Sequence, residues 1–239
     1  IESAGGAMVT SNHILRDQVE RKLRLLHLHG PKDETTKTLN MIRPILAGFQ
    51  EQNLELTDLL QEVVDAINKL FWLKEVTIGL RDPDDKYRYK VMCGLRPDAW
   101  TAHKEIAYTL EEFLDSEHYK CSQMSRYTRV FLAEDKPFRD GEVDTFTRPI
   151  LLKAIRKSVD DCIEGDYFDT HIFDENGGLI GWIEISGTKG GKFPDPMALR
   201  WIELLALIIG IAITRDDRSG RNEQAKSRLK PLIPFARNR

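Results

Sequence analysis

Cysteine is scarce in this chain, which has three among 239 residues, Cys93, Cys121 and Cys162. The number is odd and the spacing matches no metal-ligand pattern. That argues against a secreted disulfide scaffold and a structural zinc site, and for a reducing compartment. An excess of one charge is also missing. With 35 Lys and Arg against 38 Asp and Glu, the formal net charge is −3, so bulk electrostatics favour neither nucleic acid nor an anionic membrane. The longest apolar run, Leu204–Ile213, is ten residues, too short for a bilayer. No leader segment is visible, and a cytoplasmic protein is expected; Ile1–Ala7, ahead of Met8, reads as a tag remnant. No G-x-G-x-x-G, G-x-S-x-G or H-E-x-x-H motif occurs. The loop Gly187–Phe193 is glycine-rich but lacks the phosphate-loop spacing, with Phe193 where the magnesium-binding hydroxyl would stand.

What is present describes a soluble globular chain, 41% hydrophobic and 31% charged. Helical periodicity predicts a first helix over 11–29 (stripe Leu15, Val19, Leu23, Leu26), stopped by Gly30-Pro31. A second helix carries Leu39, Ile42, Ile45, Leu46 and Phe49, with Pro44 kinking or restarting it. A third runs over 57–71, with Leu59, Leu60, Val63 and Ile67 at helical spacing. Residues 75–81 and 87–95 alternate as two strands joined by Asp82-Pro83-Asp84-Asp85. A short strand is expected at 105–108, and Thr109-x-x-Glu112 has capping-box spacing that opens a helix through His118. A strand at 128–133, a turn-rich loop at 134–141 and a helix over 142–163 (Leu151, Ile155, Val159, Cys162, interrupted by Pro149) complete the middle.

The chain is organised around 166–214. Residues 167–174 and 179–186 form a hairpin across Glu175-Asn176-Gly177-Gly178, residues suited to a two-residue turn. That register sets His171 opposite Trp182. It gathers Phe168, Thr170, Ile172, Leu179, Gly181, Ile183 and Ile185 on an apolar face over a core. The other face, Asp169, His171, Phe173, Ile180, Trp182 and Glu184, mixes aromatics with acids and reads as a cavity wall or a surface. A three-residue turn would exchange the two faces. The helix over 197–214 carries two apolar stripes: Ile202, Leu205, Ile209 and Ala212, and Leu204, Ile208 and Ile211. The first suits the sheet; the second wants a second copy of the chain or the N-terminal helices. Turn-joined strands imply a largely antiparallel sheet with helices on one side, an α+β fold. Three regions are expected: an N-terminal helical extension (1–52), the main domain (53–214) and a basic tail (215–239).

The stretch Gly178-Leu179-Ile180-Gly181-Trp182-Ile183-Glu184-Ile185, then Phe193, then the helix from Leu199 to Ile213, resembles the GAF domain, a sensory fold related to PAS. The resemblance covers 55–214; residues 104–165 depart from the family pattern. It implies a central antiparallel sheet, first and last helices on one face, and a small-molecule pocket on the other. It also implies ligands such as cyclic nucleotides, haem, tetrapyrroles or metabolites, and homodimerisation through flanking helices, with output to a signalling partner. His171 and Trp182 are the expected ligand contacts, a titratable ring beside a stacking surface, or else a satisfied sheet histidine with its packing neighbour. Phe173, Tyr89 and Arg129 join them. Cys93 would be a thiol ligand for haem iron or a covalent tetrapyrrole, or simply a buried hydrophobe. A sensory module is the expected function. A thiol-dependent enzyme like the free methionine sulfoxide reductases, using the three cysteines, and a pocketless dimerisation scaffold are the alternatives.

Overall fold

A computed structural model describes residues 18–25, 33–48 and 55–229. The chain divides into two compact units, Ile1–Pro44 and Ile45–Arg239. In the first, residues 18–25 (α1) are helical and exposed, with an Arg24–Glu20 ion pair one turn apart. The rest of the predicted first helix lies outside the described residues. Helix α2 (Glu34–Gly48) runs through Pro44 without a break.

The second unit is a six-stranded antiparallel sheet with helices. Its strands are β1 (Val76–Arg81), β2 (Tyr87–Cys93), β3 (Ser122–Gln123), β4 (Thr128–Phe131), β5 (Tyr167–Phe173) and β6 (Leu179–Ile185), in the spatial order β2-β1-β6-β5-β4-β3. The first and last ribbons thus share one sheet through β1 and β6. Helix α3 (Leu56–Leu70) lies on β1 and β2, and α6 (Pro196–Leu229) on β5 and β6. Between them and the sheet sit Leu60, Val63 and Ile67 of α3, Ile202, Leu205 and Ile209 of α6, and Ile78, Ile172, Ile183 and Ile185 of the strands, all fully buried. Each such side chain contributes roughly 1.5–3 kcal/mol by leaving water. Gly210 lets α6 come close to β5, because a Cβ there would stand 2.2 Å from the Phe173 carbonyl oxygen.

The predicted stripes of α6 separate as expected. Ile202, Leu205 and Ile209 are buried, whereas Leu204 and Ile211 are exposed. The apolar segment is longer than ten residues: Pro196–Arg215 reaches the length and composition of a membrane span. Packing on the sheet accounts for its inner stripe, while Met197, Leu204, Leu207 and Ile211 remain exposed.

The hairpin register is also as predicted, by a different route. Asp174 and Gly178 close the turn through Asp174 N–H to the Gly178 carbonyl, and Gly177 takes a positive φ of 79°. Three residues therefore lie in the loop. The register then shifts between Ile172 and Phe173, leaving Ile180 as an extra residue, and His171 still faces Trp182. Leu179 alone changes sides, joining the Tyr87, Phe113 and Trp182 cluster.

A second shift corrects the reading of β2. Val91 pairs with Ile78 but Tyr89 pairs with Gly79, so Lys90 is bulged. Tyr87 and Tyr89 lie on the open face, while Val91 and Cys93 turn toward α3, where Asp65 holds the Cys93 thiol. The middle differs most. Residues 97–105 form a helix, α4 (Pro97–Glu105), started by Pro97 in its first turn. The strand expected at 105–108 is a single bridge, Tyr87 to Tyr108. The capping box of Thr109 and Glu112 is made, but α5 (Leu110–Phe113) is one turn long. The helix expected over 142–163 is absent. Its place is taken by 3-10 turns at Asp140–Thr145 and Pro149–Lys153, then an irregular segment. Ile155 and Val159 are left more than four-fifths exposed. Arg156 holds that segment, with two bonds of 2.9 Å to the Asp166 carboxylate and ion-pairing to Glu134.

Candidate functional site

On the face away from α3 and α6, side chains form rows across the strands. One row runs Thr77 (β1), Glu184 (β6), Asp169 (β5), Arg129 (β4). The next runs Tyr89, Gly79, Trp182, His171. The second row is filled. The Trp182 ring lies across Gly79, where an added Cβ would stand 2.0 Å from it. Phe113 of α5 covers the row, with ring centroids 4.9 Å from Trp182 and 5.9 Å from His171.

The first row opens on a cavity of about 80 Å³, lined on the sheet side by Thr77, Tyr89, Phe131, Tyr167, Asp169 and Glu184. Its cover comes from the middle of the chain: His103 of α4, Tyr108, Phe113, Tyr119, Glu142, and the loop Ile163–Asp166. By volume it holds on the order of five to eight waters, or one small organic molecule.

Three of the acids along this cavity are fully committed. Glu142 accepts from the Tyr108 and Tyr119 hydroxyls at 2.9 and 2.6 Å and from Arg139 N–H at 2.8 Å. Asp166 is clamped by Arg156 and by two backbone N–H groups. Glu164 is held by Arg148. Asp169 and Glu184, directly opposite each other, are not. Asp169 accepts one bond from Arg129 Nη2, at 3.2 Å, and its Oδ1 has no partner. Glu184 accepts from the Tyr89 hydroxyl at 2.8 Å and from the Trp182 indole N–H. Thr77 Oγ1, beside Glu184, is buried and unpartnered.

Burial raises the pKa of Asp169 although Arg129 opposes it, and burial together with the Asp169 charge raises that of Glu184. Two carboxylates this close share a proton more readily than they both ionise. His171 is pushed down to about 4, by burial and then by Arg129, and is neutral. Burial also lowers His103. Its Nδ1 lies 2.9 Å from the Ala99 carbonyl and must donate there, which leaves Nε2 as an acceptor.

Of the residues singled out from the sequence, Tyr89 lines the cavity. Arg129 stands behind Asp169, its guanidinium 5.1 Å over both Phe113 and Phe131. His171 and Trp182 belong to the filled row beside the cavity, and Phe173 packs on His171 and Tyr127. Cys93 is on the opposite face because of the Lys90 bulge. None of the three cysteines lines the cavity. Burial and Asp65 push Cys93 up to about 11, and burial with Asp166 pushes Cys162 up to about 12. Cys93 faces α3 and Phe113 covers His171, so neither residue is placed to hold a haem or tetrapyrrole in this cavity. Among the described residues, no three His, Cys, Asp or Glu side chains are placed to hold a metal ion. The lysines of the glycine-rich loop are also occupied, Lys189 on Asn68 and Lys192 on Asp161.

Sequence reasoning missed Tyr108, Tyr119, Glu142 and His103, all from the cover. One signal was legible. Glu142 reaches back to the Arg139 N–H three residues earlier, as an N-terminal helical turn would.

No family model matches this sequence, and no curated protein matches it. Solved structures do match the fold. The chain is similar to the GAF domain of a phosphoenolpyruvate-protein phosphotransferase from Coxiella burnetii, at 14% identity and a TM-score of 0.51, covering 77% of this chain and 96% of that one. It is similar to the A. aeolicus Nlh2 GAF domain in an inactive state, at 13% identity and a TM-score of 0.50, covering 77% of this chain and 99% of that one. With its six strands in the order described and helices behind them, the chain has a GAF-like fold.

Proposed function

We propose that this chain is a soluble, cytoplasmic sensory or regulatory module. A small molecule enters the cavity on the open face of the sheet, and the change passes through β5 and β6 to α6, and from there to a partner protein. The observation that supports this reading is the pair of buried, unpartnered polar atoms in the cavity wall, Asp169 Oδ1 and Thr77 Oγ1. A buried polar group without a partner costs about 1–3 kcal/mol, and a bound ligand removes that cost. Catalysis is not part of the reading, because the thiols lie away from the cavity and burial keeps Cys93 and Cys162 protonated.

The same proposal makes the module a homodimer through its N-terminal and last helices. Met197, Leu204 and Ile211 lie seven residues apart on α6 and are 52%, 43% and 57% exposed. That spacing is the seam of a two-helix coil. Sedimentation of the full chain at micromolar concentration tests this part. A dimer that dissociates in Leu204→Glu/Ile211→Glu is expected; a monomeric wild type rejects it. Native mass spectrometry and thermal-shift screening against metabolites test the ligand part. No bound molecule and no stabilising metabolite would leave a pocketless scaffold as the better description.

A further inference from the structure

Apart from Lys74 and the hydroxyl residues Thr77, Thr145 and Ser186, the cavity wall is made mainly of acceptors and aromatic rings. The Tyr108 and Tyr119 hydroxyl protons are spent on Glu142, the Tyr89 proton on Glu184, and the Tyr167 proton on the Pro137 carbonyl. Their oxygen lone pairs remain. His103 lines this space with one ring nitrogen left as an acceptor, and Asp169, a lining residue only 4% exposed, has an unpartnered Oδ1.

Charge points the same way. The Asp169–Glu184 pair has one buried cation beside it, Arg129, which reaches Asp169 through a single N–H and leaves its own Nε unbonded. Every other acid of the wall described above already has its donors. Cross-strand like charges destabilise a sheet; sharing one proton, the pair carries the single negative charge that Arg129 balances, ionising it adds a second, and Asp169 Oδ1 is the spare acceptor. Around it stand Tyr89 and Tyr167, whose ring faces attract cations electrostatically, and Phe131, whose faces are taken by Tyr167 and Arg129.

A divalent metal is a poor occupant, since the carboxylates are not grouped with a third ligand. An anion is disfavoured beside this pair, since it would meet two acids there, although Lys74 also lines the cavity. Volume restricts the choice further, to a molecule of a few heavy atoms.

We propose that the ligand of this cavity is a small organic primary ammonium ion, its N–H groups donating to Asp169 Oδ1 and Glu184 and its alkyl part lying against the Tyr89, Phe131 and Tyr167 rings. This rests on the reading of the cavity as a ligand site and adds the chemical class. A primary ammonium is favoured over a quaternary one because the orphaned oxygen needs a donor, which a quaternary nitrogen lacks. Thr77 Oγ1, on the other side of Glu184, is left for a second polar group on the natural ligand.

The test is calorimetry and two-dimensional NMR of the full chain with n-butylammonium chloride. Tetramethylammonium chloride, 1-butanol and sodium butyrate serve as comparators, at matched ionic strength. Butylammonium is expected to saturate one site, shift the Trp182 indole N–H resonance beside the cavity, and bind at least tenfold more tightly than any comparator. Asp169→Asn and Glu184→Gln should each weaken it tenfold or more. Glu184→Gln keeps an acceptor for Tyr89, so it remains informative if Asp169→Asn fails to fold. Saturable binding of butyrate or butanol but not butylammonium would overturn the ammonium assignment while leaving the cavity as a ligand site. Tetramethylammonium binding as tightly as butylammonium would overturn the donor argument. No binding by any of the four would overturn the ammonium assignment, and a metabolite screen that also found no ligand would remove the cavity reading beneath it.

Discussion

Glu184→Gln has a consequence for stability that needs no ligand. Burial and the adjacent Asp169 charge hold the Glu184 carboxyl above its ordinary value of 4.5, and burial holds Asp169 above 3.8. Above the ordinary carboxylate range the folded pair therefore keeps a proton that the unfolded chain has already released. Stability falls as pH rises through that window, and it stops falling when the folded pair itself ionises. One proton sets a ceiling of about 1.4 kcal/mol per pH unit on the slope.

The buried imidazoles act in the opposite sense. His171 and His103 are held neutral, so their contribution is lost as pH falls below the ordinary histidine value of 6.5. Above neutrality they drop out and the carboxyl pair leads, with Glu75, also raised by burial, acting in the same sense and the buried thiols joining toward the alkaline end. Urea unfolding of the wild type between about pH 6.5 and 8.5 should show a loss of roughly 1–3 kcal/mol. With a urea slope of about 2 kcal/mol per molar, the midpoint moves by on the order of 1 M. In Glu184→Gln the fall over the same interval should shrink by half or more, and the variant should overtake the wild type at the alkaline end. A wild type with flat stability across this interval, or a variant with an unchanged slope, refutes the protonated-pair argument.

The affinity of butylammonium should rise with pH over the same interval, because ionising the pair favours the bound cation; calorimetry at three pH values checks the sign. Gly79→Ala puts a Cβ into the Trp182 ring and should cost about 1–3 kcal/mol, with a changed Trp182 indole resonance as the local marker. Gly210→Ala, at the approach of α6 to the Phe173 carbonyl, should cost a similar amount, about 1–3 kcal/mol, by displacing the helix from β5; a lowered urea midpoint checks it. Arg156→Met leaves the Asp166 carboxylate, whose side chain is fully buried, without its cation and should cost about 3–5 kcal/mol in urea unfolding.

The sheet and its two helices were legible because their patterns repeat. Val76, Ile78 and Leu80, and Ile183 and Ile185, alternate with period two, and Leu60, Val63 and Ile67 recur with the period of a helix. The bulge at Lys90 was not legible, because Tyr87, Tyr89, Val91 and Cys93 read as one continuous alternation whether or not a residue is skipped. The irregular segment after Pro149 was hidden for a related reason. Leu151, Ile155 and Val159 have helical spacing, but the segment is held by Arg156 reaching Asp166 and Glu134, a choice that depends on distant acids. The site inherits this division. Its sheet half, Asp169 and Glu184, was visible as the mixed face of a hairpin. Its cover comes from residues 103–166, where the one long period, Leu151, Ile155 and Val159, does not correspond to a helix.

The hairpin shows why the sheet half is robust. A three-residue turn between β5 and β6, left uncompensated, would have slipped the register by one. Asp169, His171 and Glu184 would then lie under α6, while Phe168, Ile172, Ile183 and Ile185 would face the cavity. Burying two carboxylates without partners costs several kcal/mol each, and exposing four large apolar side chains forfeits roughly 1.5–3 kcal/mol apiece. Against those losses, one bulge at Ile180 and the reversal of Leu179 are a small disturbance. The apolar face is therefore what holds the register, and the acids are carried to the open side as its consequence. There they lie away from α3 and α6, and they accumulate in one row with a single arginine to balance them. The same alternation that builds the core thus leaves a charged, half-paired wall opposite it, closed over by the residues of the cover.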